Sequence, residues 1–152
     1  MPYDGSRFAD KALENAIEIA KLAGANTHVI LLYVTPDIPI PPTFERPVYS
    51  AKTGKSIPLT QYIQELYKEM KENASKMLEE QKRKYAHHSI KTENILLNGY
   101  PSEKIVGYAN NEKVDLIVIG NVGLSGFSKV KALGSVSRSV SERASCPVLI
   151  VH

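Results

Sequence analysis

Apolar residues follow two patterns along the chain: short continuous runs and longer stretches with a helical period. Continuous runs at 29–34, 95–97, 114–119 and 146–152 are typical of strands that are covered on both faces of a parallel sheet. In the longest periodic stretch, 59–85, apolar residues step by three or four and the opposite face carries Lys and Glu, as in an amphipathic helix. Strands and helices therefore alternate. This predicts an α/β fold of one domain, an open parallel sheet of about five strands with helices on both faces.

The chain opens on a helical pattern that begins after Asp4, Gly5 and Ser6 and ends at Gly24. A parallel α/β sheet normally has an apolar strand before such a helix, and here only residues 1–3 precede it. We predict that a few apolar residues added ahead of this segment raise the melting temperature. Asp4 has two interpretations from its position alone, a helix cap or turn former and a ligand-binding carboxylate.

Residues 36–58 form a proline-rich stretch that follows the 29–34 run. It contains six of the nine prolines, and because proline lacks a backbone donor, a regular helix or a central strand is excluded here. A loop this long in a compact domain is usually functional or mobile. We expect a lid or partner arm anchored by Phe44 and Tyr49, with a disordered insertion as the alternative.

Glycines are concentrated after the 114–119 run, and the last of them precedes a serine: Gly120, Gly123, Gly126, Gly134 and Ser135. Glycine permits positive φ, and it lets backbone N–H groups approach a ligand without a Cβ in the way. Ser135 is placed to cap the next helix, whose N-terminus favours an anion such as a phosphate. The loop matches neither GxxxxGK followed by Ser or Thr nor GxGxxG, and a tight connection with no ligand is the alternative.

The segment GNVGLSGFSKVKALGS, with CPVLIV after it and PYDGS at the start of the chain, closely resembles the nucleotide-binding branch of the universal stress protein family. That branch carries Gly, two residues, Gly, usually nine residues, and then Gly followed by Ser or Thr. Here the spacer 124–133 has ten residues. The resemblance implies a universal stress protein domain over 1–152, with the Rossmann-like fold of the adenine nucleotide α hydrolase type.

The same resemblance implies ATP as the ligand, with Mg²⁺ or Mn²⁺ carried on its phosphates. It places Asp4 beside the nucleoside and Val34 against the adenine, largely through backbone groups. Lys129, Lys131 and Arg138 are nearby charges that could neutralise phosphate. The implied binding residues are Pro2, Tyr3, Asp4, Val34, Ile119, Gly120, Gly123, Gly126, Gly134, Ser135 and Val136.

The sequence leaves three interpretations of the function open. With Asp4 facing the nucleoside, no residue is placed to activate water, so we assign no catalytic residue and expect a nucleotide-dependent stress sensor with slow or no hydrolysis. The competing interpretation is an interaction module that binds no nucleotide. In both, the apolar C-terminal strand would pair with its copy in a homodimer. A true ATPase is a third possibility.

Composition and charge exclude several other classes of protein. The 152 residues suit one domain, with 43% hydrophobic and 23% charged residues and a net charge of +3, too small to indicate nucleic acid binding. No apolar run approaches the roughly 20 residues that span a bilayer, and we expect no secretory signal. The single Cys146 fits a reducing cytoplasm, where we expect this protein. His87 and His88 lack further metal-ligand partners in the sequence.

Overall fold

The computed structural model describes residues 1–24, 26–38, 47–50, 52–86, 90–124 and 133–152. Helices and strands alternate within these ranges, in agreement with the prediction. In chain order they are α1 (Arg7–Ala23), β1 (His28–Thr35), β2 (Val48–Tyr49), β3 (Ser56–Ile57), α2 (Leu59–Tyr85), β4 (Lys91–Asn98), α3 (Pro101–Asn111), β5 (Ile117–Gly120), α4 (Ser135–Arg143) and β6 (Val148–Val151).

The long strands pair in parallel, as the continuous apolar runs predict. β1 pairs with β4, and β5 pairs with β6. The first residues of the chain lie on the other edge of β1: Pro2 forms a parallel bridge with Leu32, and the Tyr3 N–H donates to the Leu32 carbonyl at 2.9 Å. The parallel α/β class is therefore confirmed. A single sheet of five strands stays a prediction, since the described ladders contain two strands each.

Helices cover both faces of these strands because side chains alternate between the faces. Val29 and Leu31 of β1 pack with α1 and α2. Leu32 packs with α3 and α4, in the same cluster as Ile117 and Ile119 of β5. Val118 of β5 packs instead against the alanine face of α1. This two-sided covering explains why β5 and the centre of β1 are almost wholly apolar, whereas residues 91–94 of β4 are polar.

The proline-rich stretch is partly described. Residues 39–46, which include the expected anchor Phe44, lie outside the described residues. β2 and β3 form a short antiparallel hairpin, and the side chain of Tyr49 is exposed at 78%. The prediction that Tyr49 anchors this stretch is therefore wrong.

Tyr67 of α2 holds the start of the stretch instead. Its hydroxyl accepts from the Ile38 N–H and lies 3.4 Å from the Pro36 carbonyl. An exposed ion pair at 2.9 Å joins Lys52, in the hairpin, to Glu69 of the same helix. Both contacts are on α2, so it is this helix that positions the ends of the stretch.

Helix α2 is the longest described helix, with 27 residues. Lysine and glutamate recur along it, and only Ile63, Ala74, Leu78 and Tyr85 are buried. Among the described helices, none combines the length and the apolar character that a bilayer crossing requires.

Candidate nucleotide site

A cavity of about 330 Å³ opens beside the ends of β1 and β5. It includes residues from the start of the chain, from the end of β1, from the end of β5 and from the start of α4. Gly134 is not among the residues that line it, and Gly126 lies outside the described residues. The predicted binding residues that do line it are Pro2, Tyr3, Asp4, Val34, Ile119, Gly120, Gly123, Ser135 and Val136.

These stretches meet because the strands are parallel. The carboxyl ends of parallel strands lie at one edge of a sheet, and ligands of open α/β sheets bind in the crevice at that edge. Asp4 follows the short segment beside β1, and Gly123 follows β5. The topology thus brings two stretches more than a hundred residues apart together in the wall of one cavity.

Asp4 connects these two stretches directly. Its Oδ1 accepts from the Ser6 N–H at 3.0 Å, as in an Asx turn, and its Oδ2 accepts from the Leu124 N–H at 3.1 Å. The helix cap belongs to Ser6, whose Oγ accepts from the Ala9 N–H at 3.2 Å. Asp4 therefore forms a turn and does not cap α1.

The described glycines of the loop are packed closely against other parts of the protein. A Cβ at Gly120 would lie 2.8 Å from the backbone of Phe8, and a Cβ at Gly123 would lie 2.6 Å from the Asp4 carboxylate. At Gly134 the nearest atom would be the Asn121 carbonyl oxygen at 3.1 Å. None of the three has a positive φ. Glycine is therefore needed at these positions because other parts of the protein lie too close for a Cβ, and not because the backbone conformation requires it.

The start of α4 differs from the prediction. Gly134 is the N-cap, with φ −62° and ψ 157°, and no side chain caps the helix. Ser135 is the first helical residue, so the prediction that it caps α4 is wrong. The cap conformation falls one residue earlier, where the Gly134 carbonyl accepts from the Arg138 N–H at 3.0 Å.

Two bonds to the Asn121 carbonyl secure the start of α4. The Gly134 N–H and the buried Ser137 hydroxyl each donate to it at 2.7 Å. Among the described residues, no side chain accepts from the first-turn N–H groups, and Ser135 and Val136 line the cavity. Such amides, at the positive end of the helix dipole, favour an anion.

Val34 presents its main chain to the cavity. The Thr35 carbonyl accepts from Gly99, which follows β4, whereas the N–H and carbonyl of Leu32 bond to the opposite side, to Met1 and Tyr3. Because main-chain groups alternate sides along a strand, the N–H and carbonyl of Val34 point to the side of Leu32. No backbone partner on that side is found for either group among the described residues, and Val34 lines the cavity.

Comparison with known proteins shows which family the chain belongs to. The model of the universal stress protein family matches residues 1–152. The chain belongs to the universal stress protein family. Universal stress protein YxiE from Bacillus subtilis is 36% identical over 149 residues, which cover 98% of this chain and 94% of that protein.

Solved structures of universal stress proteins share the fold. UspA from Lactobacillus plantarum superposes with a TM-score of 0.80 at 24% identity, covering 99% of this chain and 94% of that one. A universal stress protein solved in complex with cAMP superposes with a TM-score of 0.60 at 25% identity, covering 100% of this chain and 93% of that one.

Charge near the cavity of this universal stress protein is limited in the described residues. Asp4 is the one acidic residue among the described residues that line the cavity, and Arg138 is exposed on α4. Lys129 and Lys131 lie outside the described ranges, as do His87 and His88. Within those ranges, no three His, Cys, Asp or Glu side chains are grouped so that they could hold a metal ion.

Several lining residues were not anticipated from the sequence. Tyr33 and Pro36 flank the predicted Val34, and Pro101 and Ile105 come from the start of α3. A signal for Pro101 was available, since it follows an apolar strand and the carboxyl ends of parallel strands share one edge. Ile105 had no such signal, because its helical spacing is equally that of a core residue.

Proposed function

We propose that this universal stress protein binds an adenine nucleotide, ATP with Mg²⁺ or Mn²⁺ carried on the phosphates, and acts as a nucleotide-dependent sensor or regulator in the stress response. The observation that carries the proposal is the sharing of one cavity by two sets of main-chain groups. The edge of β1 at Val34 and the uncapped start of α4 both open into it.

The edge at Val34 suits the base. An adenine presents a donor and an acceptor side by side, and a strand residue with a free N–H and a free carbonyl can pair with both. The apolar side chains of Pro2, Val34 and Ile119 line the same space, and a mostly apolar wall with a few placed polar groups is the usual character of a small-molecule site. We expect Asp4, whose two oxygens already accept from main-chain N–H groups, to lie beside the nucleoside.

The start of α4 suits the phosphates. N–H groups of Ser135 and Val136 supply donors, and the exposed Ser135 hydroxyl adds another. We expect a divalent cation to be bound by the phosphates rather than by protein carboxylates, because Asp4 already accepts from two N–H groups. The universal stress protein that was solved with cAMP supports an adenine nucleotide as the ligand class.

Slow or absent hydrolysis follows from the same contacts. Phosphoryl transfer to water needs a group that orients or deprotonates the attacking water. Both oxygens of Asp4 are engaged by main-chain donors, and among the described residues no other carboxylate lines the cavity. We therefore expect a sensor that holds its nucleotide and turns it over slowly or not at all.

The first test identifies the ligand. Purified protein is denatured, and any released small molecule is identified by mass spectrometry. Protein free of ligand is then titrated with ATP and Mg²⁺ while thermal unfolding is followed. A ligand at 100 times its dissociation constant stabilises by about 2.7 kcal/mol, which corresponds to a rise of roughly 5–10 °C for a chain of this size. No released nucleotide and an unchanged transition would contradict the proposal.

A pair of variants at Val34 tests the base contact. Val34→Pro removes the N–H that faces the cavity and leaves the β1–β4 ladder intact, because that N–H does not point toward β4. Val34→Ala retains the N–H and is the control. We expect the proline variant to bind ATP at least about tenfold more weakly than the alanine variant, the loss of one good hydrogen bond. Equal affinities would show that the base is not bound here.

A second candidate function is a dimeric interaction module that binds no nucleotide. It shares with the nucleotide sensor a homodimer that we expect to form at the outer edge of β6. The Pro147 and Val151 carbonyls bond to Ile117 and Asn121 on the β5 side, so alternation directs the main-chain groups of Val148 and Ile150 outward. An open apolar edge of this kind favours pairing with another strand, in the simplest case the same strand of a second copy.

Two exposed leucines test the dimer. Leu149 lies on β6 and is exposed at 37%, and Leu22 lies on α1 and is exposed at 89%. We expect Leu149→Glu to raise the dimer dissociation constant, because like charges would meet across the two-fold axis, and Leu22→Glu to leave it unchanged. Light scattering across a dilution series measures both. A monomer in the parent protein would exclude the dimer.

A further inference from the structure

The sulfur of Met77, on helix α2, lies against the turn that precedes helix α1. A Cβ built on Gly5 would lie 2.8 Å from Met77 Sδ, so the thioether occupies space that a side chain at residue 5 would need. Gly5 has a φ of 80°, a conformation that residues with a Cβ rarely adopt. The contact between α2 and this turn therefore joins a bare backbone to a flexible thioether, which fills irregular gaps well.

The turn under this sulfur carries several hydrogen bonds. The Asp4 carboxylate accepts from the Ser6 N–H at 3.0 Å and from the Leu124 N–H at 3.1 Å. The Ser6 hydroxyl accepts from the Ala9 N–H at 3.2 Å. Gly5 lies between the two residues that supply these acceptors. A displacement of Gly5 would therefore disturb the cap of α1 and the link to the loop after β5 together.

Met77 is partly buried, with Leu78 beside it fully buried. Its buried part packs against the apolar cluster that includes Tyr3, Leu13 and Leu78. The rest of its surface is open to solvent, where a small oxidant can reach it. Oxidation of methionine to the sulfoxide converts a flexible apolar side chain into a polar one. The one side chain thus combines access to solvent with a contact on the turn that holds Asp4.

We propose that Met77 is an oxidation site through which hydrogen peroxide weakens the link between Asp4 and Leu124. The peroxide transfers one oxygen atom to Sδ: its O–O bond breaks and an S–O bond forms. The sulfur is oxidised to the sulfoxide, and the peroxide is reduced to water, which keeps both hydrogen atoms.

The added oxygen disturbs the contact with Gly5 by steric and polar effects. Toward Gly5 it overpacks the turn, and toward the cluster it leaves a polar group among apolar side chains. A hydrated sulfoxide is drawn toward solvent and therefore away from Gly5. Weaker binding of ATP then follows if ATP occupies the cavity beside Asp4, so that consequence rests on the proposed function, whereas the displacement of the turn does not.

The test oxidises the full chain with hydrogen peroxide in two variants, each of which keeps one of the two methionines of α2. Met70→Leu keeps Met77, and Met77→Leu keeps Met70, which lies two turns earlier on the helix. Leucine has a similar volume and is well tolerated in place of methionine. Both variants carry Cys146→Ala, which removes the single cysteine, and both contain Met1. Peptide mapping by mass spectrometry measures the sulfoxide at each position.

We expect the oxidised Met70→Leu protein to lose about 4 °C or more in melting temperature. Amide exchange at Leu124 should become at least about tenfold faster, and methionine sulfoxide reductases should reverse both changes. The oxidised Met77→Leu protein should shift by less than about 1 °C. The proposal is overturned if Met77 resists peroxide that oxidises Met70, or if the sulfoxide forms at Met77 and exchange at Leu124 does not change.

A third variant shows whether the effect passes through Asp4. Asp4→Ala lacks the acceptor for the Leu124 N–H, so exchange at Leu124 should already be fast, and oxidation of Met77 should add less than about twofold. A further tenfold increase would overturn the proposed route.

Titration with ATP and Mg²⁺, before and after oxidation of the Met70→Leu protein, separates this proposal from the proposed function. A dissociation constant that rises at least about tenfold on oxidation supports both. Reduced protein that binds no ATP, but whose Leu124 exchange still accelerates on oxidation, contradicts the proposed function and supports Met77 as the oxidation site.

Discussion

Asp4 accepts a hydrogen bond from the backbone N–H of Leu124 at 3.1 Å, across 120 residues of sequence. The same carboxylate accepts from Ser6 at the start of α1. Asp4 therefore fixes the position of the loop after β5 relative to the first helix. The shape of the cavity at the ends of β1 and β5 depends on that relationship, because the cavity is bounded by both stretches.

Replacing Asp4 should affect stability and ligand binding together. We expect Asp4→Ala to lower the free energy of unfolding by about 1–3 kcal/mol, because two N–H groups lose a charged acceptor. The stabilisation by ATP should fall as well. Urea unfolding with and without nucleotide measures both effects. Asp115→Ala, at an exposed aspartate in another loop, is the control and should leave both unchanged. An Asp4 variant that behaves like the control would show that the contact does not shape the cavity.

Two glycine variants should have effects of opposite sign. A Cβ at Gly123 would lie 2.6 Å from Asp4 Oδ2, whereas a Cβ at Gly107 meets nothing within 4 Å. We expect Gly123→Ala to destabilise the protein by about 1–3 kcal/mol through overpacking and to weaken ATP binding. Gly107→Ala, within α3, should stabilise by about 0.5–1 kcal/mol. Chemical denaturation gives both values, and stabilisation by Gly123→Ala would mean that the loop and Asp4 are not in contact.

Removing the Ser137 hydroxyl should lower stability more than removing the Ser141 hydroxyl on the same helix. Its hydroxyl is buried and donates to the Asn121 carbonyl at 2.7 Å, whereas the exposed Ser141 hydroxyl donates only to Arg138, one turn back. We expect Ser137→Ala to cost about 1 kcal/mol or more and to weaken phosphate binding by loosening the start of α4. Ser141→Ala should stay within about 0.5 kcal/mol. Equal effects on thermal unfolding would exclude a positioning role for Ser137.

Stability should decline at alkaline pH through Tyr3. Burial raises the pKa of its hydroxyl above the ordinary value of 10.0, and the hydrogen bond donated to Asp10 raises it further. Above pH 10 the unfolded chain releases this proton while the folded chain retains it. The unfolded state then binds fewer protons, and the free energy of unfolding falls as pH rises.

Tyr3→Phe tests this assignment. We expect it to lower stability at pH 7, where the hydrogen bond to Asp10 is lost, and to flatten the decline above pH 10. Tyr49→Phe, at an exposed tyrosine, should retain the full decline. Unfolding free energies measured from pH 7 to 11 compare the three proteins. If Tyr3→Phe left the decline of the unfolding free energy above pH 10 unchanged, a group other than Tyr3 would be responsible for that decline.

Local patterns were sufficient for most of the fold. The helical period over 59–85 predicted α2 with the bounds that the structure has. Continuous apolar runs predicted β1, β5 and β6 because strands covered on both faces have few polar positions. Of β4 they predicted only residues 95–97, because its first half is polar. The start of α4 was predicted one residue late. Serine is the commoner cap, but the conformation there was decided by the bond between Gly134 and Asn121, residues brought together only by the fold.

By itself, the sequence determined the class of fold, the family and half of the residues that line the cavity, because these depend on periodicity, on strand order and on motifs that can be read locally. The tertiary structure decided what the individual residues do. It made Asp4 a link to Leu124 rather than a cap, and it gave Gly123 its reason in the Asp4 carboxylate. Each of these depends on the distance between residues far apart in the chain, and no local pattern encodes that distance.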